Sequence, residues 1–230
     1  MTDIPALPFA AVILDMDGLV VDTESTYCHA WQQAARNLDG AYPEEFLLGL
    51  FGLNADDVKI ALREAWGPGF QEERFHEHAA RHWQEHLNTH GIAWMPGLDR
   101  LLSWLKSREI PYALATNSDA LHATLCLRRA GLEAEFPVRV TRDQVALGKP
   151  APDLFLEAAR RLGRAPASCL VLEDSGPGLT AARAAETRVV LVQRDTPRRE
   201  RMRGMADAAC ASLHEVAEWL QHCPNSDHAG

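Results

Sequence analysis

Four short apolar runs recur along the chain, and each stops at small, hydroxylic or acidic residues. They are Phe9–Asp15 (FAAVILD), Tyr112–Thr116 (YALAT), Cys169–Asp174 (CLVLED) and Arg188–Val192 (RVVLV). Their apolarity is continuous rather than alternating, the pattern of strands covered on both faces in a parallel sheet. Between them the spacing predicts helices over Leu98–Ser107, Ala120–Ala130, Pro152–Leu162 and Leu179–Glu186. Pro152 suits a helix start, where its missing N–H costs nothing. Strands alternating with helices specify an α/β sheet with right-handed crossovers.

The segment between the first two runs behaves differently. From Thr23 to Trp94 no strand pattern emerges and the sequence reads as helical. Asn54 can cap a helix running from Ala55, and Phe75, Ala79, Trp83 and Leu87 form an apolar stripe at i, i+4 spacing. Charge shifts at the same place. The 230-residue chain carries a net charge of −9, and Thr23–Ile92 holds 11 acidic and 5 basic residues with six of the ten histidines. We therefore expect a helical module of about seventy residues inserted into the α/β domain. The expected boundaries are 1–22 with 95–221 for the core, 23–94 for the insert, and a loose polar tail at 222–230.

Acidity on this scale argues against nucleic acid as a partner. No apolar run approaches the roughly 18–20 residues that span a bilayer, so no membrane partner is expected. The beginning of the chain lacks a basic stretch followed by an apolar one, so secretion is not indicated. Five cysteines, an odd number without a CxxC pair, fit reduced thiols in a cytoplasmic protein.

The chemistry collects where the runs end. Asp15-Met16-Asp17-Gly18 places two carboxylates one residue apart at the end of a buried strand, where both cannot ionise fully without a cation or partner. An ionised Asp15 facing a metal, with Asp17 protonated for part of a reaction cycle, would resolve this. A solvated strand-to-loop turn is the alternative. Thr116-Asn117-Ser118 offers a hydroxyl and an amide as phosphate donors, or a simple cap. Lys149, in Gly148-Lys149-Pro150, is one of only three lysines among 23 basic residues. A compact ammonium there hints at a specific use, although a lysine in a loop is usually a surface residue. Glu173-Asp174 supplies a second acidic pair of the oxygen-donor type that Mg²⁺ prefers. All four signals fall at the carboxyl ends of predicted parallel strands or in the loops after them, where open α/β sheets bind ligands.

D15-M-D-G-L-V-V-D-T-E24, A115-T-N-S118, G148-K-P-A-P-D153 and L172-E-D-S-G-P-G178 resemble, in order and spacing, the four motifs of the haloacid dehalogenase superfamily. The helical insert is similar to the four-helix cap of its β-phosphoglucomutase-like phosphatases. The resemblance spans about Phe9 to Leu220 and implies a Rossmann-like core with the cap above the active site. It implies Asp15 as nucleophile, forming an aspartyl-phosphate, and Asp17 as acid and then base. Thr116, Asn117 and Lys149 would bind phosphate. Mg²⁺ would be held by the Asp15 and Asp174 carboxylates and the Asp17 carbonyl, with Glu173 binding directly or through water. Members that cleave carbon–halogen bonds lack the second acid, so Asp17 argues against dehalogenation.

The resemblance leaves two activities open. Phosphosugar mutases of this type carry basic residues in a cap loop that clamp a second phosphate. The matching stretch here, Phe51-Gly52-Leu53-Asn54-Ala55-Asp56-Asp57, has none, and Tyr27 replaces a mutase-type histidine. Hydrolysis of a small phosphorylated metabolite, by a monomer or weak dimer, is the favoured expectation over mutation. A non-catalytic phospho-acceptor resembling response-regulator receivers is a third reading, which Asp17 and the cap oppose. Glu24, His29, Phe51 and Asn54 are candidates for the substrate pocket or for cap packing. The row His78, His82, His86 and His90 reads as an exposed helix face with adventitious metal affinity or mild pH sensitivity. Cys169 reads as core packing, and Arg198, Arg199, Arg201 and Arg203 as a solvated surface.

Overall fold

The structure is a computed structural model, and it describes residues 7–38, 46, 49, 50 and 55–222. Contacts divide the chain into two compact units, one of residues 1–21 with 94–230 and the other of residues 22–93. Among the described residues, no helix is long and apolar enough to cross a membrane.

Among the described residues, the first unit is built on six parallel strands. They are β1 (Ala11–Leu14), β2 (Tyr112–Ala115), β3 (Arg139–Val140), β4 (Cys169–Glu173), β5 (Arg188–Val192) and β6 (Ala208–Cys210). Their order is β3-β2-β1-β4-β5-β6. The order reverses between β1 and β4, where a doubly wound sheet leaves a crevice at its carboxyl edge. Register fixes which ends meet there, with Leu14 opposite both Leu114 and Leu172.

Every residue of β1 and β4 is buried, as expected for strands with helices on both faces. In the core, Ile13, Val171 and Leu191 pack with Phe155 and Ala158 of α6 (Asp153–Arg161) and Leu179 of α7 (Gly176–Ala184). Elsewhere, α9 (Leu213–His222) packs along α4 (Leu98–Ser107), which buries Leu98, Leu101, Leu102 and Leu105. Two further helices are α5 (Ala120–Arg129) and α8 (Thr196–Met202). Strands β3 and β6 lie beyond the four runs legible in the sequence. They span two and three residues, too few to show a period.

The second unit contains α1 (Thr23–Asn37), α2 (Ala55–Trp66) and α3 (Glu72–His90). Asp22 caps α1, its carboxylate accepting from Ser25 N at 3.1 Å and Ser25 Oγ at 2.8 Å. On α3 the predicted stripe Phe75, Ala79, Trp83 and Leu87 is the buried face. Phe75 and Ala79 pack with Cys28, Ala34 and Ala35 of α1 and Leu62 of α2. Trp83 meets its polar requirement by donating Nε1–H to Thr26 Oγ1 at 3.0 Å. Asn54, Phe51 and the rest of 51–54 lie outside the described residues, as does the tail from 223.

Candidate active site

The chain leaves β1 through Asp15, whose N–H still donates to Leu172 O at 3.1 Å. A tight loop follows, in which Val20 N and Val21 N both donate to Met16 O, at 2.9 and 3.1 Å. Gly18 makes this possible with φ of 80°, a conformation that costs other residues a backbone clash. The loop brings the Asp17 carboxylate to the end of β2. There Asp17 Oδ2 accepts from Thr116 Oγ1 at 3.2 Å and Ser118 Oγ at 3.0 Å.

Glu173, the last residue of β4, is fully buried. Its Oε2 accepts from Ser175 N at 2.8 Å and Ser175 Oγ at 2.9 Å, and its Oε1 accepts from Lys149 Nζ at 2.6 Å. The carboxylate lies against the first turn of α7 so closely that a Cβ at Gly178 would stand 1.9 Å from Glu173 Cδ. Asp174 follows and is also buried, its backbone carbonyl accepting from Gln193 Nε2 at 3.4 Å.

Lys149 joins the two strand ends. Its buried ammonium donates to Asp15 Oδ1 as well as to Glu173, and lies 4.9 Å from the centre of the Phe155 ring. The Asn117 side chain holds the Lys149 backbone, accepting from its N–H at 2.8 Å and donating to its carbonyl at 3.1 Å. Gly148 is required beside it, because a Cβ there would stand 2.4 Å from Asn117 Oδ1 and 2.5 Å from Arg142 Cδ.

One ammonium is thus shared by two buried carboxylates, with a third nearby. Burial pushes the Asp15 carboxyl up to about 7; Lys149 opposes the rise, while the charges of Glu173 and Asp17 add to it. For Lys149, burial pulls downward, but attraction to Asp15 and Glu173 outweighs it and leaves the ammonium above its ordinary value.

Asp15, Asp17, Thr116, Asn117, Lys149, Glu173 and Asp174, all singled out from sequence, therefore sit in one unit at the carboxyl edge of one sheet. Several placements differ from expectation. Asp15, taken as the readily ionised member of its pair, has its proton affinity raised, chiefly by burial and then by the charges of Glu173 and Asp17. Asn117, expected to donate to phosphate, has both side-chain polar atoms on the Lys149 backbone. Glu173, considered as a metal ligand, has its oxygens engaged by Lys149 and Ser175. Thr116 donates to Asp17. Ser118 was not among the expected site residues, although its place in the Thr116-Asn117-Ser118 run was a usable signal.

The histidine row of the second unit makes a different arrangement. The His86 ring lies 4.7 Å from that of His29 and 4.6 Å from that of His90, while His82 Nε2 and Asn37 Nδ2 are 2.8 Å apart. Partial burial, and then His29 and His90, hold His86 below its usual value. Among the described residues, no group of three or more His, Cys, Asp or Glu side chains is arranged to hold a metal ion by itself. Tyr27 stacks on Trp83 with centroids 5.0 Å apart. Cys169 is buried in β4, and burial pushes its thiol up to about 11.

Residues 12–192 match the family model of haloacid dehalogenase-like hydrolases. The chain belongs to this family. A phosphorylated carbohydrates phosphatase from Thermotoga maritima is 36% identical to this haloacid dehalogenase-like hydrolase over 179 residues, covering 76% of this chain and 81% of the relative. Beta-phosphoglucomutase from Bacillus subtilis is 29% identical over 223 residues, covering 92% and 96%. Among solved structures, a haloacid dehalogenase family hydrolase from Deinococcus radiodurans with bound phosphate and sodium has a TM-score of 0.82 at 25% identity, over 94% of this chain and 97% of that one.

Proposed function

We propose that this haloacid dehalogenase-like hydrolase is a Mg²⁺-dependent phosphatase acting on a small phosphorylated metabolite, such as a sugar phosphate or nucleotide-like monophosphate. The observation that carries the reading is the convergence of Asp15 and Asp17, from the loop after β1, with Lys149, from the loop before α6. A carboxylate nucleophile, a second carboxyl held by two hydroxyls and a buried ammonium are the parts that phosphoryl transfer through an enzyme carboxylate requires.

The residues present fit a hard divalent cation. Asp15, Asp174 and the Asp17 carbonyl offer only oxygen donors. The single Lys149 ammonium is shared between two buried carboxylates, Asp15 and Glu173, which leaves room for a further positive charge. When bound, the cation would neutralise the negative charge of the phosphate and polarise its oxygens.

Asp15 Oδ attacks phosphorus, forming an aspartyl-phosphate as the bond to the leaving oxygen breaks. Asp17 delivers a proton to that oxygen, then takes one from the water that hydrolyses the acyl phosphate. Its hydrogen bonds from Thr116 and Ser118 hold the carboxyl in one orientation across both steps. Lys149 and the Thr116 hydroxyl stabilise charge on the transferring oxygens. Glu173 anchors Lys149, and Asn117 fixes its backbone, so both are positioning residues in this reading. The helical unit is read as the family's cap. Its acidity favours a substrate with one phosphate over one that needs a second clamped. The reading carries a cytoplasmic location, which the reduced thiols Cys28, Cys126, Cys169 and Cys210 support, and a monomer or weak dimer.

The test is a screen of phosphorylated metabolites in Mg²⁺ and in EDTA, with Asp15→Asn as blank. Phosphate release that needs both Mg²⁺ and Asp15 is expected. Conversion of β-glucose 1-phosphate to glucose 6-phosphate without phosphate release would establish the mutase instead. Substantial turnover by Asp15→Asn would remove Asp15 as nucleophile.

A further inference from the structure

Away from the catalytic edge, the first unit has a cleft of about 280 Å³ beside the sheet's β3 edge. Its polar lining comes from Thr124 of α5, Arg139 of β3, Thr141 and Gln144 of the turn after β3, and Arg161 of α6. Two guanidinium groups line it and no carboxylate does. Among the described residues, the buried Nη1 of Arg139 finds no hydrogen-bond partner, which is costly for a charged donor. Glu133 lies within electrostatic range of Arg139, but its carboxylate is already bonded by Arg128 at 2.7 Å.

Arg161 is held in place from two sides. It donates through Nη1 to the Arg139 carbonyl at 2.5 Å and through Nε to Glu157 Oε1 at 2.7 Å. The turn at the cleft is also fixed. Asp143 Oδ1 accepts from Thr141 Oγ1 at 2.7 Å and from Ala120 N at 3.0 Å. The cleft is therefore shaped before any ligand arrives, with the side chains of Arg139 and Arg161 both on its lining.

We propose that this cleft is a binding site for a small oxyanion, a phosphate or carboxylate group carried by a metabolite. Arg139 is its principal contact, and Arg161, Thr124, Thr141 and Gln144 surround the ligand. Guanidinium groups suit carboxylate and phosphate because their planar donors pair with two oxygens at once. The volume falls just below the roughly 300 Å³ at which ligand pockets begin, which favours a small anion over a nucleotide. The proposal does not depend on the phosphatase reading, since none of these residues belongs to the catalytic set.

The test is a titration of the full-length protein with inorganic phosphate and, separately, with succinate, followed by amide NMR shifts. Saturable shifts at Thr124 and Arg139–Gln144 are expected, with a dissociation constant distinct from any response at Asp15–Gly18. Arg139→Gln should weaken that binding roughly tenfold or more, as expected for loss of a charge-assisted contact. Gln144→Glu puts a negative charge on an exposed position of the rim and should weaken it similarly without touching the fold. A response to phosphate alone would assign a phosphoryl group, and a response to succinate alone a carboxylate. Shifts confined to Asp15–Gly18, or shifts at Arg139–Gln144 unaltered in both variants, would overturn the site.

Discussion

Asn117 grips Lys149 through both ends of its amide: Oδ1 accepts the Lys149 N–H and Nδ2 donates to the Lys149 carbonyl. A residue at the end of β2 thus fixes the backbone of a residue 32 positions later, in the loop before α6. The ammonium between Asp15 and Glu173 inherits its position from that pair of bonds.

Asn117→Ala should therefore act on catalysis more than on folding. Two hydrogen bonds of about 1 kcal/mol each are lost, so kcat should fall by roughly tenfold to thirtyfold. The melting temperature should drop by only a few degrees. Steady-state kinetics on whichever phosphomonoester proves active, beside a thermal melt, separates the two effects.

Lys149→Met should be costly in a pH-dependent way. Removing one partner of a buried ion pair costs about 3–5 kcal/mol, because the remaining charge is left uncompensated. Without the ammonium, the buried Asp15 carboxyl loses the one charge that lowers its proton affinity, so its folded-state pKa rises further. Stability of the variant should then be nearest to wild type in acid and fall away as pH rises. Urea midpoints from pH 4.5 to 8 would show this, and a pH-independent deficit would refute it.

Asp15 also gives the unsubstituted protein a signature in metal-free buffer. Its carboxyl titrates near 7 when folded, against 3.8 ordinarily. Between those values the unfolded chain has lost the proton while the folded chain keeps it, so folding takes up a proton and stability falls as pH rises. Above about 7 both states are ionised and this contribution becomes flat. Wild type should lose stability relative to Asp15→Asn across that window, measured in EDTA. Mg²⁺ should stabilise wild type increasingly toward pH 7, since the cation competes with the proton.

Gly178→Ala tests the packing around Glu173. The new Cβ would stand 1.9 Å from a carboxylate carbon that is fully buried, so relief requires movement of Glu173 or of α7. Overpacking of this kind costs about 1–3 kcal/mol. Activity should fall as well, because Glu173 is displaced from Lys149. Denaturation midpoints with parallel rate measurements check both, and an unchanged midpoint would mean that the turn yields freely.

Much of this architecture is local in origin and so was readable residue by residue. The buried runs of β1, β2, β4 and β5 announce a parallel sheet because strands covered on both faces need continuous apolarity. The i, i+4 stripe from Phe75 to Leu87 announces its helix for the corresponding reason. Strands β3 and β6 are not legible in the sequence because two or three residues carry no period. They exist as strands because Leu114–Ala115 and Val190–Val192 offer them edges.

At the site, the pattern of runs along the chain already names the residues that gather, since each follows a strand whose carboxyl end faces the same crevice. What those residues do to one another is set by how the crevice packs in three dimensions. Asp15 and Lys149 lie 134 positions apart, and Asp17 and Ser118 lie 101 apart. Side-chain hydrogen bonds and proton affinities depend on distances of a few ångströms and on how much water is excluded. Both are properties of the packed crevice, and a linear order of residues does not carry them.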